Sequence, residues 1–194
     1  MEQKMKPSDE TAILWIRTKG QRNEAEKKLM THNENEIRNF LRNRSNEITF
    51  QLDSKRRRIL VNKKTGKPFE LNEALIDDIA VKINLLSGKW LIFIQKEKVD
   101  GLWENIEKLA TKSKIWNAKV STLGHPWAAK GTHVICVYTK NYIDKENVMD
   151  TREILRQIGI TKRLNYKPDI YTILGIYSDN KKDFKLNRVT RYIS

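Results

Sequence analysis

The sequence predicts an α+β fold: one sheet, largely antiparallel or mixed, with helices packed on one face. Three observations predict it. Short β-branched and aromatic runs recur along the chain, from Ile48-Thr49-Phe50-Gln51-Leu52 to Thr132–Thr139. Three longer segments, 70–84, 97–112 and 147–158, carry apolar residues at helical spacing. From Gly88 onward the two kinds of segment alternate, and a single sheet covered by helices on one face satisfies that order. At 194 residues with 39% hydrophobic content, the chain can bury a core without disulfides or metal.

Residues 1–10 read as a flexible tail ahead of one domain over 11–194. Thr11–Ile16 is the first apolar run and reads as a short strand, with Lys19-Gly20 as a turn. Residues 24–44 are strongly charged, and Ile37, Phe40 and Leu41 at i, i+3, i+4 support a helix there. Ile48–Leu52 alternates as a strand, Asp53-Ser54 turns it, and Arg56–Val61 returns. Arg56, Arg57, Arg58, Lys63 and Lys64 crowd this hairpin and the basic loop that follows it. Such cations are candidate contacts to a phosphate backbone, which asks little of side-chain geometry.

Leu71, Leu75, Ile79 and Ile83 recur every four residues and define the first clear helix, with Asn72 as a cap. Lys89–Ile94 reads as an inner strand. Val99, Leu102, Trp103, Ile106 and Leu109 form the buried stripe of the second helix, which places Trp103 in the core. Ala118–Ser121 is a short strand and Leu123–Gly131 a loop. Trp127 in that loop and Trp116 just before the strand are candidate stacking residues. Thr132–Thr139 fits a central strand. Asp144 caps the third helix, lined by Val148, Thr151, Leu155 and Ile158 and stopped by Gly159. Asp169–Tyr177 reads as the last clear strand, with Tyr171 and Tyr177 on the face away from the helices.

Lys+Arg is 38 against Asp+Glu 24, a formal charge of +14. This excess favours polyanionic partners through steering and counterion release. Cys136 is the only cysteine, so no internal disulfide forms, and a reducing, cytoplasmic setting is expected. The polar Met1–Glu10 is no secretory signal, and no apolar run approaches the length of a membrane span.

The blocks Ser87-Gly88-Lys89-Trp90, Ala118-Lys119-Val120-Ser121, Val134–Thr139 and Tyr166-Lys167-Pro168-Asp169 through Leu174–Tyr177 resemble the basophilic leukemia-expressed protein family. The likeness covers about 70–180. That family is similar in fold to the translation initiation factor that binds the mRNA cap. The resemblance therefore implies a curved, mainly antiparallel sheet with three helices on its convex face. In cap-binding proteins two tryptophans sandwich the methylated guanine. Here Trp90 and Trp103 align with framework positions, so cap binding is not carried over to them.

Lysines inside apolar strand blocks mark the candidate site. Lys89, Lys119 and Lys167 on one concave face would form an anion pocket, with hydroxyls from Ser121 and Thr139, rings from Tyr138 and Tyr171, and Asp169 orienting a lysine or reading a base edge. The expected function is non-catalytic binding of RNA, single-stranded nucleic acid or a phosphorylated nucleotide. A protein–protein adaptor is the alternative, and a phosphate-directed lyase or hydrolase a weaker one. His32, His125 and His133 are scattered, no Cys/His cluster has zinc spacing, and no Walker or dinucleotide glycine motif is present. No cofactor or metal is expected, and catalytic residues are not assigned.

Overall fold

The computed structural model describes residues 5–18, 34–42, 47–126 and 128–194. The chain divides into two compact units. The first comprises Met1–Gln21, Gly88–Tyr166 and Tyr192–Ser194, and the second Arg22–Ser87 and Lys167–Arg191. The expected turn at Lys19-Gly20 and the first part of the 24–44 helix lie outside the described residues.

The first unit is built on an antiparallel sheet. Its strands are β1 (Trp15–Arg17), β4 (Gly88–Gln95), β5 (Asn117–Ser121), β6 (Thr132–Thr139) and β8 (Tyr192–Ile193), together with the start of β7 (Asn165–Pro168). The order is β1-β5-β6-β4-β7-β8. Helices α3 (Lys96–Thr111) and α4 (Lys145–Gln157) pack on one face. Alternation sets that face: Ile16, Ala118, Val120, Ile135, Val137, Trp90 and Ile92 are all buried. Trp103 is 1% exposed, at the centre of the α3 stripe. Trp90 donates from Nε1 to the Val148 carbonyl at 3.1 Å, which pins α4 to β4. Ser8 is buried, and its backbone N–H and hydroxyl both donate to the Asp100 carboxylate.

The second unit holds the hairpin of β2 (Ile48–Leu52) and β3 (Arg58–Asn62), helix α1 at 34–41, and α2 (Glu73–Lys82). Asn72 caps α2 by accepting from Leu75 N at 2.8 Å. Ile37 and Leu41 of α1 are buried, as their spacing predicts.

One expectation is overturned. Asp169–Tyr177 is not a strand: the strand is β7, Asn165–Pro168, and Asp169–Ile173 is a short helix, α5. Pro168, at φ −59° and ψ 145°, ends the strand and leads into the first helical turn, where Asp169 is favourably placed near the helix N-terminus. Ile170, Tyr171 and Leu174 are buried while Thr172 and Ile173 are partly exposed, a helical spacing that outweighs the β-branched composition. The alternation assigned to Tyr171 and Tyr177 therefore does not exist.

Gly175 stops this helix at φ +75°. A Cβ there would collide with the Arg58 carbonyl oxygen and lie 2.6 Å from Ile59 Cα, both fixed backbone of β3. Gly159, at φ +88°, has nothing within 4 Å of the same position. Gly159→Ala is expected to cost about 1 kcal/mol from backbone conformation alone. Gly175→Ala adds the collision and is expected to cost at least about 3 kcal/mol. Urea unfolding of both variants checks this, and equal losses would remove the packing argument.

Candidate nucleic-acid interface

The sheet of the first unit has a second face, opposite the helices, and its composition is unusual. The strands pair Arg17 with Lys119, Lys119 with Cys136, and Tyr138 with both Lys89 and Asn117. Paired residues share a face. This face therefore carries Trp15, Arg17, Lys89, Leu91, Phe93, Asn117, Lys119, Cys136 and Tyr138. No Asp or Glu occupies it in β1, β4, β5 or β6. Lys89, Lys119, Trp15 and Tyr138 are partly exposed and Phe93 is exposed.

The cations and rings interleave. Lys119 Nζ lies 3.9 Å from the centroid of the Trp15 ring and 6.0 Å from that of Tyr138. Lys89 Nζ lies 5.6 Å from the same Tyr138 ring. His125 meets Trp15 edge-on, with centroids 4.8 Å apart. Burial first, then the charge of Lys119, holds the His125 imidazole below its usual pKa.

The structure thus brings together Lys89, Lys119 and Tyr138 of the expected site and adds Trp15 and Arg17. Sequence reasoning passed over those two, because Trp15 was absorbed into an apolar run. The signal was present: in Trp15-Ile16-Arg17 the buried Ile16 turns both neighbours to the opposite face.

The remaining candidates sit otherwise. Thr139 is on the helix-covered face, buried, and bonded to Tyr166 Oη at 2.5 Å. Ser121 pairs with Trp15 and so lies on the same face as Lys119, but it is fully buried, and its hydroxyl accepts from Val134 N at 2.9 Å. Both hydroxyls are occupied in the interior. They sit at strand ends, where packing takes what the exposed surface would otherwise have used.

Lys167, Asp169 and Tyr171 belong to the second unit. Lys167 is 8% exposed and donates from Nζ to the Ile176 carbonyl at 2.8 Å. It lies 4.3 Å from the Tyr177 ring centroid, and Arg57 Cζ lies 4.5 Å from it. Asp169 accepts from Ser87 Oγ at 2.6 Å, and its backbone N–H returns a bond to the Ser87 carbonyl. Tyr171 is buried, not on an open face. Burial first, then the charge of Glu73, pushes its phenol up to about 12.

The basic hairpin is largely answered by carboxylates. Arg57 bonds Asp53 and Asp179, Arg58 forks onto Glu34, and Lys64 pairs with Glu47. The two cations hold Asp179 well below the usual carboxylate range, through hydrogen bonds from Arg57 and then Lys55. Arg56 and Lys63 are exposed. Trp116 is 38% exposed just ahead of β5. Trp127 lies outside the described residues.

Among the described residues, no group of three or more His, Cys, Asp or Glu is arranged to hold a metal ion, and no helix is long and apolar enough to cross a membrane. In comparison with known families, the model for the basophilic leukemia-expressed protein Bles03 matches residues 6–175.

Proposed function

The chain belongs to the Bles03 family, and from that premise we propose that the helix-free face of its sheet binds single-stranded nucleic acid, RNA in the first instance, or a phosphorylated nucleotide. The observation that carries this reading is Lys119 over the Trp15 ring at 3.9 Å, on a face that also presents Arg17, Lys89 and Tyr138. Aromatic rings stack on any base, and lysine or arginine beside them holds the phosphates.

The energetics favour exchange. A partly exposed cation–π contact is worth about 0.5–1 kcal/mol. Stacking a base on an aromatic ring is worth about 1–3 kcal/mol. A base can therefore displace the ammonium from Trp15, and the ammonium, still tethered to β5, moves to the adjacent phosphate. The site binds and orients; no bond is made or broken.

The cap-binding initiation factor's fold, which the sequence resemblance implies, lends this proposal no ligand. Trp90 and Trp103 are buried and cannot flank a base. A capped nucleotide is accordingly one arm of the test rather than the expected ligand.

The test is fluorescence anisotropy with labelled oligouridine RNA, the matching DNA and a capped nucleotide, from 50 to 300 mM salt. Binding to a single strand is expected to weaken with salt, with a log–log slope near −2 for about three phosphates contacted. Trp15→Ala is expected to weaken it about tenfold at fixed salt. Absence of salt-dependent binding to every probe would overturn the proposal.

A further inference from the structure

A second site lies at the C-terminal end of β4 in the first unit; of the residues named on the sheet face it shares Phe93, and none of that face's cations, nor the Trp15 and Tyr138 rings, belongs to it. The C-terminal half of β4, from Ile92 to Gln95, lines a cavity of about 620 Å³. Lys98, Leu102 and Asn105 line it from α3, at i, i+4 and i+7, so one face of that helix forms a wall. The turn at 158–162, just after α4, lines it as well.

This wall is held in place. The buried Arg152 guanidinium donates to the Ile160 carbonyl at 2.7 Å and to the Lys162 carbonyl at 2.8 Å. Lys162 Nζ in turn donates to the Phe93 carbonyl, which ties the turn to β4. Gly159, at φ +88°, gives the chain its exit from α4. The cavity is therefore formed by braced elements, and its size is that of a small-molecule site.

Its chemistry is two-sided. Phe93, Leu102 and Ile160 supply apolar surface, while Gln95, Asn105 and Thr161 offer neutral hydrogen-bonding groups. The only charged residues in the lining are Lys98 and Lys162; no acid is among them. An apolar body fits the first set and a single negative charge the second. An anionic head adds an ion pair with the exposed Lys98 and with Lys162, whose ammonium keeps donors beyond its bond to the Phe93 carbonyl, and a cationic ligand would meet repulsion from both.

We propose that this cavity binds a small amphiphile with one anionic head, a carboxylate or a phosphate monoester, and a compact apolar body. The head lies by Lys98 and Lys162, and the body rests against Leu102, Phe93 and Ile160.

Isothermal titration calorimetry of the full chain with octanoate, octyl phosphate and octanol, all below micellar concentrations, tests it. One-to-one saturable binding of at least one anion is expected, with octanol at least tenfold weaker. Whichever anion binds more tightly identifies the head. Lys98→Glu and Leu102→Asn change exposed or half-exposed positions of α3, and each is expected to weaken the anion at least tenfold. RNA binding by both variants is expected to stay within about twofold of the parent chain, which separates this site from the sheet face. The proposal is overturned if neither anion saturates, if octanol binds as well as the anions, or if Lys98→Glu binds them unchanged.

Discussion

Arg152→Ala is expected to cost about 3–5 kcal/mol of folding stability, from two carbonyls left without their donor at about 1–3 kcal/mol each and from the void the side chain leaves. Arg152 is fully buried on α4, and its planar fork answers the backbone carbonyls of Ile160 and Lys162 and, at 3.3 Å, the main-chain oxygen of Ser194. No Asp or Glu is among these partners. Burial accordingly pulls the guanidinium below its usual pKa, although it stays charged because arginine begins so high. Truncation strips the Ile160 and Lys162 carbonyls of this donor, while Ser194 O still accepts from Leu164 N, and each buried carbonyl left without a donor costs about 1–3 kcal/mol. It also opens a void beside Trp90, whose ring centroid lies 5.9 Å from the guanidinium carbon. Arg152→Lys should recover less than half of the loss, since one ammonium cannot span carbonyls that the fork reaches from separate nitrogens. Urea unfolding measures both variants. A loss under about 1 kcal/mol for Arg152→Ala would mean that water replaces the guanidinium at no cost, and that the 158–162 turn is not braced from beneath.

That arginine shows what the sequence could and could not disclose. The α4 stripe was legible at Val148, Thr151, Leu155 and Ile158, yet Arg152 sits four residues after Val148 and three before Leu155, on the same stripe. Charge placed it outside; geometry places it inside, because the backbone carbonyls that satisfy it lie in a turn that periodicity cannot see. The same holds at Lys167, whose carbonyl partner Ile176 is supplied by a change of direction at Gly175. The three long helices and the strands β4 and β6 were legible because each fixes its own apolar pattern over two turns or more, or over eight residues. Helix α5 was not, because five residues rich in β-branched side chains carry too little periodicity to outvote composition. For the site, Lys89 and Lys119 stood out as cations inside apolar strand blocks, and it is the register of β4, β5 and β6 that puts them on one face with Tyr138. Alternation failed for Tyr171, where no strand exists. Trp15 and Arg17 share a side by local alternation, but joining them to Lys119 required the register of β1 against β5, a contact across a hundred residues.

Reversing the two lysines of the sheet face is the sharpest test of whether that register builds an interface. Lys89→Glu with Lys119→Glu is expected to weaken single-strand binding at least about 100-fold at 150 mM salt, by removing two phosphate contacts and placing two repulsive charges where they were. The log–log salt slope should flatten by about 1.4, at about 0.7 per contact on a single strand. The control is Lys182→Glu with Lys185→Glu, exposed positions of the second unit that make the same change in net charge. If the chain attracts nucleic acid only through its overall excess of cations, the two double variants lose affinity equally, and the salt slope falls by the same amount in each. If Lys89 and Lys119 act with Trp15 and Tyr138 as one surface, the control loses less than about fivefold and keeps most of the slope. Both lysines are partly exposed over aromatic rings rather than within the core, so the double variant should fold, and unchanged urea midpoints would assign its loss to binding. Equal losses in the two variants would disperse the interface over the whole basic surface and leave the ring contacts of Lys119 as packing alone.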